Sequence, residues 1–178
     1  MKINEEINRF FLEGRLRDKI MPHDSFPKYL QEIQHRVMLA HSDLDVDMLV
    51  RILSQIRFEA GKALSNNAWS KINLLIQDSL RAIPYMFKVS IIKSYGDVSD
   101  ELEQVLIKVN TYRNEFAHPR ARFLLKKYDA KTKEGKVELR NLTRAMKKAR
   151  DLFLEHAESS EACKYYVERQ IEIMEKKK

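Results

Sequence analysis

An apolar residue recurs every three or four positions through Val98, Leu102, Val105, Val109, Tyr112 and Phe116. That period belongs to an α-helix with one buried stripe. Ser99-Asp100-Glu101 gives the helix an acidic first turn, which suits the positive end of its dipole, and Pro119 stops it. The helix is expected over about 98–118 and is the best-defined element of the chain. Its last turn carries two residues capable of chemistry, Arg113 and His118. Pro119 disfavours α geometry at the residue before it, so His118 is expected at the helix boundary. The negative end of the dipole there favours imidazolium over imidazole.

The rest of the chain repeats the helical period. Ile3, Ile7, Phe10 and Phe11 open a first helix over about 3–20. Pro22 and Pro27 bracket a short connection, and a second helix is expected from about Pro27 to Ala40, with Leu30, Ile33 and Val37 inward. Ser42 or Asp43 is expected to cap a third helix carrying Leu49, Ile52, Leu53 and Ile56. Ser65-Asn66-Asn67 ends it, and a fourth begins near Ala68 with Trp69, Ile72, Leu75, Ile76, Leu80 and Ile83 inward. Pro84 should kink or break that helix. The apolar run from Tyr85 to Ile92 is read as further helix rather than strand, and Tyr95-Gly96-Asp97 turns the chain into the 98–118 helix. Beyond Pro119, two short apolar runs flank a Lys/Gly-rich loop, so about 120–138 reads either as a small β-hairpin or as an irregular basic arm. A last helix is expected over about 141–174, with Ser159-Ser160 as a break.

These elements predict an all-α, up-and-down bundle of five to six helices in a single domain, 1–178. Only four glycines and four prolines occur in 178 residues, and a third of the chain is charged, as a helical protein requires. The scattered glycines exclude a phosphate-cradling glycine loop, and Cys163, alone, excludes an intramolecular disulfide and a cysteine-cluster metal site. His35 and His41 are six apart rather than the three or four that co-face metal ligands on a helix, His23 falls in the proline-bounded connection, and His156 reads as a packing residue. No metal and no cofactor is expected. Acids precede any apolar run at the N-terminus and no stretch is long enough to span a bilayer, so no leader, no membrane partner and a cytoplasmic location are expected.

The net charge of +7 is unevenly placed. Twelve bases against three acids between Pro119 and Arg150 give +9, so the remainder is slightly negative. The basic block starts one residue after His118 and points to an anionic partner, of which nucleic acid is the commonest; a plain solvated helix face is the competing reading. Arg120, Arg122, Lys126 and Lys127 are the residues expected on a phosphate backbone. Tyr128, beside two lysines, is the expected base-stacking aromatic, whereas Tyr112 and Phe116 lie at core spacing.

Arg113-Asn114-x3-His118, at the end of a long helix in an all-α chain of this size, resembles the signature of the HEPN superfamily: Arg, four to six residues, His, often with a polar residue directly after the Arg. The same Arg-Asn-Glu-Phe-Ala-His stretch is similar to the helix-end motif of the mannitol operon repressor group. The chemistry of the residue types is compatible. Metal-independent RNA cleavage needs a group that moves protons near neutral pH, which histidine supplies, and a fixed cation on the phosphoryl oxygens, which arginine supplies. Five positions on one helix is about 140° of rotation, so one chain makes a poor composite site and a two-fold pair of chains a better one. The resemblance implies such a homodimer, with Arg113 and His118 of both copies facing each other, Asn114 binding or orienting phosphate, and cleavage leaving a 2′,3′-cyclic phosphate. Two functions follow: an RNA-directed protein that acts as an endoribonuclease of the toxin or defence type, or a non-catalytic regulatory module that dimerises and binds a protein partner such as an antitoxin.

Overall fold

The computed structural model describes residues 26–96, 98–117 and 121–175. The fold is all-α: seven α-helices and one 3₁₀ turn occur among the described residues, with no strand. In chain order they are α1 (Lys28–Ala60), the 3₁₀ turn Gly61–Ala63, α2 (Asn66–Arg81), α3 (Tyr85–Ser94), α4 (Asp100–Ala117), α5 (Ala121–Lys127), α6 (Lys133–Ser159) and α7 (Glu161–Glu175). The helix expected over 3–20 lies outside the described residues. The chain divides into two compact units, Met1–Leu44 with Asp100–Asp151, and Asp45–Ser99 with Leu152–Lys178. The long helices α1 and α6 each contribute to both.

In the first unit, α4 buries the expected stripe: Leu102, Val105, Val109, Tyr112 and Phe116 are all inside, joined by Leu106. Leu30 and Val37 of α1, and Leu142, Ala145 and Ala149 of α6, are buried in the same unit. Gln34 donates its Nε2 to the carbonyl of Phe116 at 2.9 Å, satisfying one of the acceptors that the end of α4 leaves open. His41 meets the side chain of Asn110 at 3.3 Å.

In the second unit, Met48, Leu49, Ile52 and Leu53 of α1 are buried with Trp69 of α2 and Val89 and Ile92 of α3. Two buried guanidiniums are held there by hydrogen bonds. Arg51 donates Nε to Nε2 of His156 at 3.1 Å and Nη1 to Gln55 at 2.9 Å. Arg57 donates to the carbonyl of Leu64 and to Asn66 Oδ1, and its guanidinium lies 5.3 Å from the centre of the Trp69 ring. His156 is thus a buried packing residue, as its spacing indicated.

Several boundaries fall where the sequence put them. Pro84 separates α2 from α3, and Gly96, at φ +81°, turns the chain after α3. Ser160 interrupts the C-terminal helices, and its carbonyl accepts from Lys164 as α7 begins. α2 begins at Asn66, two residues before the expected Ala68, with Ser65 as its N-cap and the Ser65 side chain accepting from Ala68 N; Leu75, expected inward, is exposed instead.

Two expectations are corrected. The chain does not break at Ser42-Asp43, and α1 runs unbroken for 33 residues. Ser and Asp cost only about 0.7 kcal/mol each inside a helix, and Val37, Leu44, Met48 and Ile52 carry the buried stripe straight across the site. The segment 120–138 is neither hairpin nor irregular arm. Residues 121–127 form α5, and α6 starts at Lys133, eight residues before the expected Asn141. Leu124 and Tyr128, four apart, are fully buried, while Lys126 midway between them is exposed, which is helical rather than alternating. Thr132 closes the connection. Its Oγ1 accepts from Gly135 N at 3.0 Å, capping α6, while its backbone N–H donates to the Asp129 carbonyl at 3.1 Å.

Candidate functional site

The site is built on the C-terminal turns of α4 and the short helix α5 of the same unit. Arg113 is half-buried, and its Nη1 donates to Oδ1 of exposed Asn114 at 3.0 Å. The guanidinium is therefore oriented by its neighbour, with Glu115 engaged elsewhere. His118 and Arg120 lie outside the described residues, and with them the expected Arg113–His118 pairing. Arg122 and Lys126 are exposed on α5.

Glu115 is the hub of this region, and nothing in the sequence singled it out. Lys127 Nζ donates to both of its oxygens, at 2.8 and 2.9 Å, and the Tyr128 hydroxyl donates to Oε2 at 2.8 Å. The Lys127 ammonium also lies 5.8, 5.7 and 5.2 Å from the ring centres of Tyr112, Phe123 and Tyr128. One expected ligand of a nucleic acid is corrected here. Tyr128 is completely buried, with the Phe116 ring 5.2 Å away, so neither face is open to a base. Lys127 is committed to a carboxylate and three rings, and a phosphate would have to displace both. The cause is the helical period: Leu124 and Tyr128 point inward together once 121–127 is helix. The exposed aromatic of α5 is Phe123.

Burial, the hydrogen bond to Glu115 and that carboxylate's charge push the Tyr128 hydroxyl well above its ordinary range. Burial, Glu138 and Glu115 push Tyr112 in the same direction. Tyr128 therefore stays a neutral donor. With Gln34 on the carbonyl of Phe116, the network fixes both helices that flank 118–120. Tyr128→Phe removes a hydrogen bond to a charged acceptor and should cost about 1.5 kcal/mol in chemical denaturation. Its pH signature is alkaline. A hydroxyl raised in the folded state contributes its stability in full below about pH 10, and loses it as pH climbs above that value. Parent and variant should converge in stability as the solution becomes strongly basic.

The strongest electrostatic feature sits on α6. Lys133, Lys136, Arg140, Arg144, Lys147 and Lys148 are all exposed. At 100° per residue they fall within about 120° of the helix circumference and along about 22 Å of its length. The sequence showed these bases but not their shared face, because the helix was expected to begin at Asn141 rather than Lys133. Among the described residues no group of three or more His, Cys, Asp or Glu side chains is placed to hold a metal ion. No described helix is long and apolar enough to cross a membrane.

Compared with known proteins, the chain matches no family model, no curated protein and no solved structure.

Proposed function

We propose that this chain is an RNA-directed protein that holds a phosphate backbone along the basic face of α6. The observation that carries the reading is the alignment of six exposed bases on one face of a single rigid helix, over about 22 Å. A solvated helix face has no need to collect one sign of charge, whereas a polyanion rewards it through release of counterions. Phe123, half-exposed on α5 beside Arg122 and Lys126, takes the base-stacking role that buried Tyr128 cannot.

In its sharper form the reading is a metal-independent endoribonuclease acting as a homodimer, with Arg113 on the phosphoryl oxygens, Asn114 orienting it and His118 moving the proton. The half-buried, pre-oriented guanidinium of Arg113 supports this form. Incubating the protein with mixed RNA in EDTA, beside folded His118→Ala of unchanged oligomeric size, tests it. Cleavage by the parent alone is expected. Equal cleavage by both, or by neither, contradicts it.

A second reading is a non-catalytic module that binds a protein partner. Leu74 and Leu75 of α2 and Phe87 of α3 favour it, being 65%, 69% and 66% exposed. Binding through such side chains changes little with salt, whereas binding through α6 weakens steeply.

A further inference from the structure

An open cleft of about 350 Å³ lies between α4 and α6 of the first unit. Glu101, Gln104 and Lys108 line one side, Asn141, Arg144 and Lys148 the other, and Val105 and Ala145 complete the lining. Three bases against one acid make it electropositive. Glu101 and Lys148 hold each other across it. The other four polar side chains are uncommitted. Among the described residues, Lys108 and Arg144 make no ion pair, and the amides of Gln104 and Asn141 make no hydrogen bond. This contrasts with the cations elsewhere in the chain that are held by a partner: Lys127 by Glu115, Lys88 by Asp45, Arg169 by Glu172.

We infer that this cleft seats a phosphodiester group of the bound strand, between Lys108 and Arg144. The inference rests on the RNA-directed reading above. A phosphodiester carries one charge on two unbridged oxygens with several lone pairs. An arginine fork, an ammonium and two amide N–H₂ groups supply the matching donors. The volume is more than a lone phosphate fills and reaches the range of small-ligand sites, so a sugar or base edge enters with it. The amide oxygens of Gln104 and Asn141 are then acceptors for a 2′-hydroxyl, the group that separates RNA from DNA. The cleft continues the basic face of α6, since Arg144 and Lys148 belong to both. On α4, Lys108 is five positions from Arg113, about 140° around the helix, so the seat is a separate subsite from the Arg113 region. It would anchor the strand rather than react with it.

The test uses the full-length protein and a short fluorescent single-stranded RNA, with affinity measured by anisotropy over a range of salt. Four proteins are compared: the parent, Lys108→Ala/Arg144→Ala, the charge-matched Lys71→Ala/Lys164→Ala, and Glu101→Gln. Lys71 and Lys164 are exposed lysines of the second unit, and all substituted positions are at the surface. Circular dichroism and thermal midpoint establish that each variant is folded. The expected result is a loss of about tenfold or more for the cleft pair, with a log–log salt slope shallower by about 1.4, two charges at about 0.7 each for a single strand. The control pair should change affinity by about twofold at most, because neither lysine lines the cleft and both charges are screened by solvent. Glu101→Gln should tighten binding, because it removes the one carboxylate facing the strand. If the parent binds RNA and the cleft pair behaves like the control pair, the seat is overturned while the RNA-directed reading stands. If the parent binds no RNA, both fall. Thermal protection by inorganic phosphate or a nucleoside diphosphate, lost in the cleft pair and unaccompanied by RNA binding, would overturn the strand and assign the cleft to a free phosphate compound.

Discussion

Gly135→Ala is expected to cost about 3 kcal/mol, although alanine is the better helix former. Gly135 lies in the first turn of α6, at a helical position without positive φ. Exchanging glycine for alanine inside a helix normally gains about 1 kcal/mol. Here the added Cβ would stand 2.1 Å from the carbonyl oxygen of Asp129 and 2.6 and 2.7 Å from its carbonyl carbon and nitrogen. The obstacle is backbone, so no side-chain rotation relieves it, and the turn between α5 and α6 must open. Opening it breaks the bond from Gly135 N to Thr132 that caps α6 and the pair from Thr132 to the Asp129 carbonyl. Urea unfolding of parent and variant measures the loss. A midpoint unchanged or raised would show that the close approach of Asp129 and Gly135 does not hold the turn. Because the turn sets where α6 begins, the variant should also bind RNA more weakly at temperatures where it remains folded.

Asp45→Ala is expected to be of similar size, about 3 kcal/mol, while Lys88→Met stays within about 1 kcal/mol of the parent. Lys88 of α3 has no exposed side-chain surface, and its ammonium donates to Asp45 Oδ2 at 2.7 Å. Removing Asp45 strands a buried cation without its carboxylate. Removing Lys88 instead takes the charge out together with its need for a partner. It leaves Asp45, about one-third exposed, to water, and the unbranched methionine fills much of the same volume. The asymmetry between the two variants is the informative quantity. Equal losses would mean that the pair contributes as a simple surface attraction rather than as a buried cation requiring compensation.

Most of the helix boundaries were legible because single residues enforce them. Pro84 removes a donor, Gly96 accepts positive φ, and Ser160 starts a new helix, each a local effect written in one or two positions. The stripe of α4 was equally plain, since five of its six residues are buried and Val98 falls just before the helix begins. Ser42-Asp43 misled because cap residues are also tolerated inside a long helix, and only the packing of Leu44 and Met48 decides between the two. The region after Pro119 misled for a different reason. The helicity of 121–127 depends on burying Leu124 and Tyr128 against the rest of the first unit, and α6 starts at Lys133 because Thr132 caps it and Gly135 fits under Asp129. Those are tertiary conditions. The same limit governs the candidate site. Residue types marked Arg113 and Asn114 as neighbours, but no pattern in the sequence says that Glu115 captures Lys127 and Tyr128, or that Lys108 and Arg144 share a cleft.

The most direct measurement is the salt dependence of RNA affinity for the unmodified chain. With Lys148 held by Glu101, the other five bases on this face of α6, each neutralising a phosphate at about 0.7 per contact, give a log–log slope near −3.5. A slope of that size, reduced when Lys136, Arg140 and Lys147 are replaced by alanine, is the expected result. An affinity that barely moves with salt, or no RNA binding at low salt, would contradict an RNA-directed function for this face.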